Sequence, residues 1–237
     1  MSFREIIKKV NKVLDNVFRY EAEKIDLATA LIAHAWENEK FVHVFGAGRA
    51  QIYAQEVTMR AGVPVLVNGI LDVGTSLYAG ILKSFLTKRT IGYGGVIARC
   101  SEISEGDVVI ILSESGAEEV AIDLALNSQD YGARVVAIIS METARNVSSE
   151  HPSGRRLDEV ADIVINNHLS FCGIVSDDLF VGNLSLIVNT TILYGLFRGA
   201  AKMLYEKGKK LEVWRCDETY DGLNYNMELA EEKFGKK

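Results

Sequence analysis

Apolar residues follow three different periods along this chain. Val108-Val109-Ile110-Ile111-Leu112 is unbroken and β-branched, which predicts a strand buried on both faces, because a half-exposed strand alternates apolar with polar. Phe41–Phe45, Pro64–Val67, Arg134–Ser140 and Ala161–Asn166 read as further strands. Between them apolar positions recur at helical spacing, as in Ile52, Ala54, Val57 and Met59, and again in Val120, Ala121, Leu124 and Ala125. Two more helices open the chain, one carried by Phe3, Ile6, Ile7, Val10, Leu14, Val17 and Phe18, the other by Ile25, Ala28, Leu31, Ile32, Ala35 and Trp36. Strands alternating with helices predict an α/β fold, a parallel doubly wound sheet with right-handed crossovers. Asn68 to Gly95 reads as irregular and glycine-dotted, Thr143–Arg156 as a polar loop, and the chain after Gly208 as a charged tail wrapping the surface or a neighbouring subunit. Leu179–Leu204 is apolar for long enough to span a bilayer, but Asn183, Ser185, Asn189, Thr190, Thr191 and Arg198 interrupt it. A long helix buried in a core or a dimer interface is the expectation, not a membrane span.

Length and composition narrow the function classes. At 237 residues, 48% hydrophobic and two prolines, with no linker or low-complexity tract, a single domain is expected. It divides into helices over 1–38, an α/β core over 39–210 and a tail over 211–237. A formal charge of −6 with scattered basic residues argues against a nucleic-acid surface. Cys100, Cys172 and Cys216 are odd in number and far apart, which indicates neither a disulfide framework nor a zinc cluster. The N-terminus has charges where a signal peptide needs an apolar core, so a cytosolic protein is expected.

The chemistry gathers where the central strand stops. Ser113-Glu114-Ser115-Gly116 forms a hydroxyl-rich turn that feeds a helix starting near Ala117. The free N–H groups and positive dipole end of that helix suit an anion, most naturally a phosphate. Ser115 and Glu118 also have capping-box spacing, which would use the Ser115 hydroxyl on the helix itself. Ser113 precedes that cap, at the carboxyl end of a parallel strand, where open α/β sheets bind ligands. A second loop, Gly46-Ala47-Gly48, lies between a strand and a helix, but Gln51 occupies the sixth position and no acid closes the second strand, so the dinucleotide fingerprint fails. Its glycines still allow close approach to the backbone. Arg49 is open to two readings, a bidentate phosphate contact or a surface salt bridge.

The first strand and its glycine loop, the Ser113–Gly116 turn, and the strands Gly132–Ser140 and Ala161–Ile165 together resemble the sugar isomerase (SIS) domain family, in particular single-domain bacterial members related to phosphoheptose isomerase. The resemblance implies a three-layer sandwich with a five-stranded parallel sheet. It also implies a homodimer or homotetramer and a sugar phosphate held at the strands' carboxyl ends by Ser113, Ser115 and Gly116. Many members have a serine two positions after the first loop's last glycine, where this chain has Ala50.

Aldose–ketose isomerisation needs a base for the proton beside the carbonyl and a group that manages the oxygens. Glu56, on the helix after the glycine loop, lies about where family enzymes carry a catalytic or metal-binding acid, and an exposed helix residue is its plainer reading. His168 follows the last strand and is of the residue type suited to moving protons, although a lone histidine is commonly structural. Glu119 is placed to approach a sugar or simply to complement the helix dipole. Glu114 should point away from its two serines unless the turn redirects it. His43 reads as core, and Asp72, Thr75 and Ser76 suit either sugar hydroxyls or turns. No cofactor is implied, and a metal held by His168 and Glu56 would need a third ligand that the sequence does not nominate. The expected function is an aldose–ketose sugar-phosphate isomerase acting through an enediol, with Gly46, Gly48 and Arg49 completing the phosphate site. A lyase or etherase, or a phosphosugar sensor without catalysis, are the alternatives.

Overall fold

The computed structural model describes residues 3–173 and 182–235. Two helices open the chain, α1 (Phe3–Tyr20) and α2 (Ala22–Glu37). There follow β1 (Val42–Phe45), a 3-10 turn at Gly48–Ala50, α3 (Gln51–Val57), β2 (Val67–Gly69), α4 (Ile81–Thr87), α5 (Tyr93–Cys100) and β3 (Val108–Leu112). The second half contains α6 (Glu119–Asp130), β4 (Arg134–Ile139), α7 (Met141–Ala144), α8 (Leu157–Val160), β5 (Ile163–Asn166), α9 (Ser185–Glu206) and α10 (Tyr220–Phe234).

All strand pairings in the five-stranded sheet are parallel, and its order is β2-β1-β3-β4-β5. The unbroken apolar run of β3 has the expected cause, since each of its residues is at most 1% exposed. Val108, Ile110 and Leu112 join one apolar cluster with Ile32, Trp36, Val188 and Leu196. Val109 and Ile111 point the other way, into a second cluster with Ile97, Val120 and Leu124. Helices therefore cover both faces, in the three layers of an α/β sandwich. The order reverses between β1 and β3, and such a reversal opens a crevice at the carboxyl ends of those two strands.

Three expectations shift. The second strand begins at Val67, not Pro64, because the preceding segment pairs with the C-terminal tail. Val65 N–H donates to the Glu212 carbonyl at 3.0 Å and Trp214 N–H to that of Val63 at 3.0 Å. Proline suits such a short, marginal pairing because it has no N–H to offer a sheet. The tail does not merely drape the surface. It buries Trp214, and α10 returns Phe234 against Phe41 and Trp214. The glycine-dotted stretch holds α4 and α5. The first escapes pattern reading because Ile81, Leu82, Phe85 and Leu86 are all exposed and only Ser84 is buried, so no apolar stripe faces the core. The second needs Gly94, where a Cβ would collide with the Val120 carbonyl across the α5–α6 contact. The long apolar stretch forms α9 from Ser185 onward, residues 179–181 of it lying outside the described residues, and no described helix is long and apolar enough to cross a membrane.

One buried polar cluster ties β1, β2 and β3 together. Asp107 accepts hydrogen bonds from Phe41 N–H at 2.9 Å, Ser104 N–H at 2.8 Å and the Ser104 hydroxyl at 3.0 Å. His43 lies 3.3 Å from it through Nε2, while Asn68 donates to His43 Nδ1 at 3.0 Å, which leaves the ring proton on Nε2 for Asp107. Burial alone would raise the Asp107 carboxyl, but the bonds from His43, Ser104 and Phe41 outweigh it and hold the group below its ordinary value of 3.8. A lowered carboxyl stabilises the fold above its unfolded value and loses that contribution as pH falls through the folded one. Asp107→Ala is expected to reduce unfolding stability by about 3 kcal/mol at pH 7, measured by urea denaturation, with the gap to wild type shrinking below about pH 4. An equal gap at pH 7 and pH 3 contradicts this assignment.

Candidate active site at the first and third strands

The chain leaves β3 in a tight turn stapled by its own side chains. Ser113 Oγ accepts from Gly116 N–H at 3.0 Å and donates to Glu118 Oε2 at 3.0 Å. The other oxygen of Glu118 pairs with Lys88 Nζ at 2.8 Å. Ser115 Oγ accepts from Ala117 N–H at 3.2 Å. Gly116 has φ +69, a left-handed conformation that favours glycine, and its carbonyl receives Leu157 N–H at 2.7 Å. The capping box between Ser115 and Glu118 does not form. Glu118 is itself the cap residue, without a side-chain cap, and α6 begins at Glu119 instead of Ala117. Lys88 and Ser113 draw the Glu118 carboxylate away from the helix start. Ser113 thus has a structural task that its place before the cap did not suggest.

That stapling leaves donors available. At the first turn of α6 the Val120 N–H goes to the Lys88 carbonyl at 3.2 Å, while the amides of Glu118 and Glu119 find no acceptor among the described residues. Opposite, the β1 loop is equally tight. A Cβ on Gly46 would collide with the Ala50 carbonyl, and Gly48, at φ +59, donates its N–H to the Thr75 carbonyl at 3.0 Å. Arg49 is exposed and has no ion pair among the described residues, so the salt-bridge reading finds no partner.

Two cavities of about 550 and 490 Å³ meet here, sharing Gly48, Arg49, Ala50, Leu77 and Glu114. Ser115, Glu118, Glu119, Lys88 and Arg89 line the first, closed on one side by Ser148 and Glu150. Their loop is anchored by His151, whose Nε2 lies 3.0 Å from Asp123 Oδ1, both residues being buried. Ser113, Gln51, Tyr53, Asn183, Ser185 and Asn189 line the second. Glu114 borders both, so the turn does redirect it, and its Oε2 is buried with no hydrogen-bond partner among the described residues. Tyr53 is 5% exposed, and burial pushes its phenol up to about 12.

Of the residues singled out in the sequence, Gly48, Arg49, Ser113, Glu114, Ser115 and Glu119 line these cavities, and Gly46 and Gly116 shape the turns beside them. The structure does not bring Glu56 or His168 there within one chain. Glu56 faces a separate, open cavity between α3 and α9, where the Tyr194 hydroxyl donates to it at 3.0 Å and Arg60 lies 3.5 Å away. His168 pairs through Nε2 with Glu21 at 2.9 Å, beyond an edge strand two places, about 10 Å, from β3. Among the described residues no three His, Cys, Asp or Glu side chains converge in a way suited to a metal ion. Lys88, Tyr53 and Asn189 escaped the sequence reading, since each joins the site from a distant element and reads locally as surface or core.

The sheet order, the crevice at β1 and β3 and the serine turn define an open parallel α/β sandwich with cavities at the carboxyl ends of its central strands. The chain belongs to the SIS domain family, whose model matches residues 5–140. Its relatives include a UPF0309 protein of Oceanobacillus iheyensis, 30% identical over 233 residues that cover 96% of this chain and 95% of the relative. Another, from Listeria innocua, is 35% identical over 156 residues, and the match spans 66% of this chain and only 63% of that relative's length. Among solved structures, a phosphoheptose isomerase from Francisella tularensis superposes with a TM-score of 0.55 at 17% identity, covering 85% of this chain and 100% of the other. One from Neisseria gonorrhoeae gives 0.53 at 11% identity, covering 83% and 94%. At such identities the likeness is one of fold.

Ser113→Ala would leave the Gly116 amide buried without an acceptor and release Glu118. It is expected to cost about 1–3 kcal/mol, read as a lowered Tm, and an unchanged Tm would mean that the turn does not rely on this hydroxyl.

Proposed function

We propose that the protein is a sugar-phosphate isomerase whose phosphate sits in the larger cavity, on the first-turn amides of α6, Ser115 and Arg49, while the sugar extends into the smaller. The observation that carries this reading is the placement of Glu114. Its carboxylate stands at the junction of the serine turn and a polar cavity, with one oxygen buried and unpartnered among the described residues. A buried acceptor without a donor costs about 1–3 kcal/mol, a cost that a ligand proton relieves. In the proposed reaction Glu114 takes the proton from the carbon beside the carbonyl. The C–H electron pair becomes the C=C bond of an enediolate and the carbonyl oxygen gains the charge; the adjacent hydroxyl then passes its proton to that oxygen, and the abstracted proton returns from Glu114 to the former carbonyl carbon, which leaves the new carbonyl next to it. This chemistry needs no redox cofactor. Assembly as a dimer or tetramer belongs to the same proposal, supported by the exposed Ile81, Leu82, Phe85 and Leu86 on α4, which an isolated chain leaves against water.

A sugar phosphate at 100 times its Kd is expected to add about 2.7 kcal/mol, raising Tm by roughly 5–10 °C, with no shift from the unphosphorylated sugar. Glu114→Gln is expected to keep that shift while slowing exchange of the sugar C–H proton with heavy water by about 10²-fold or more. Binding without exchange in the wild type would favour a sensor, and no binding would withdraw the phosphate site.

A further inference from the structure

A buried chain of hydrogen-bonded side chains ends at the smaller cavity, and its last member, Tyr53, also packs in the apolar cluster on one face of the sheet. It begins at a backbone group whose polarity is certain. Leu169 N–H donates to Asn167 Oδ1 at 3.1 Å, which fixes that amide with its oxygen toward the backbone. Asn167 Nδ2 must then donate, and it does so to Asn189 Oδ1 at 3.0 Å. Asn189 in turn has only its NH₂ to offer Tyr53, and donates to the phenol oxygen at 3.0 Å. A hydroxyl that accepts still owns one proton. That proton has no acceptor among the described residues, although Tyr53, Asn189 and Asn167 are 5%, 4% and 0% exposed.

We infer that Tyr53 is the hydroxyl that donates a hydrogen bond to a sugar oxygen in this cavity, the oxygen that gains charge when the proton beside it is removed. The inference rests on the sugar-phosphate reading above and adds which atom of the sugar the site recognises. Tyr53 and Asn189 both line the cavity with Ser113 and Glu114. Glu114 and Arg49 line the same cavity, near enough for their charges to act on the phenol. A phenol held well above its ordinary value keeps its proton at neutral pH. It therefore serves as a fixed donor to the developing oxyanion and not as a proton shuttle, a role in which one preorganised donor is worth about 10²–10³ in rate. Asn167 and Asn189 are positioning residues, since they act only by turning the phenol proton toward the cavity.

Two near-isosteric changes test this. Tyr53→Phe deletes the donor. Asn189→Asp keeps the phenol but supplies a carboxylate that captures its proton, so the ring remains and the donor is lost. Thermal shifts would be measured for the wild type and both variants with inorganic phosphate and with five-, six- and seven-carbon sugar phosphates, alongside sugar C–H exchange in heavy water. The expected result is that both variants fold and respond to inorganic phosphate like the wild type. Both should lose the extra shift that a sugar phosphate gives and exchange about 10²-fold more slowly. If both retain the extra shift and the exchange rate, the Tyr53 inference is overturned while the phosphate site stands. The same holds if wild type responds equally to inorganic phosphate and every sugar phosphate. If wild type responds to neither probe, the sugar-phosphate reading itself fails and takes this inference with it. If Asn189→Asp does not fold, Tyr53→Phe alone decides between these outcomes.

Discussion

The architecture depends on the end of β3. Its five residues are buried on both faces, which requires helices above and below and makes this strand the axis on which the two apolar clusters meet. The strand cannot continue past Leu112 without carrying polar groups into the core. Ser113 is the point where the main chain turns, and the turn's amides, its left-handed Gly116 and the first turn of α6 follow from that stop. Because β1 lies on one side of β3 and β4 on the other, the flanking connections leave in opposite directions and the crevice opens at this place.

Polar groups are sorted around that crevice by whether the protein satisfies them. The Asp107 and His43 cluster at the opposite ends of the strands is fully hydrogen-bonded and serves to hold β1, β2 and β3 in register. Glu118 is neutralised by Lys88 and bound by Ser113, so it too is structural. Glu114 and Tyr53 differ, since a Glu114 oxygen and the Tyr53 hydroxyl proton find no partner among the described residues at a cavity wall. Buried polar groups are rarely left so, and those that are commonly mark a site of chemistry.

Much of this was legible in the sequence because buried parallel strands announce themselves as apolar runs, unbroken in β3 and over Val135–Ile139 and Ile163–Ile165, and interrupted in β1 only by His43. The serine turn was legible for the same reason, as an abrupt polar end to the β3 run. What misled was local pattern overridden by distant partners. The apolar residues before Val67 pair with a tail some 150 residues later. Ser115 and Glu118 have capping-box spacing, but Lys88 draws the carboxylate elsewhere. The helix α4 presents its apolar side to water and so carries no signal of burial. Tyr53 and Asn189 are separated by 136 positions, and neither residue type nor spacing betrays a hydrogen bond that only the packing of α9 against α3 creates.

If an anionic sugar is held on the amides between β3 and α6, amide NMR during titration with a sugar phosphate detects it there. The largest ¹H–¹⁵N shifts are expected on Ser115 to Glu119 and on Gly48 and Arg49. Shifts concentrated instead around His43 and Asp107, or along Glu56 and Tyr194 between α3 and α9, with the turn silent, would contradict this placement.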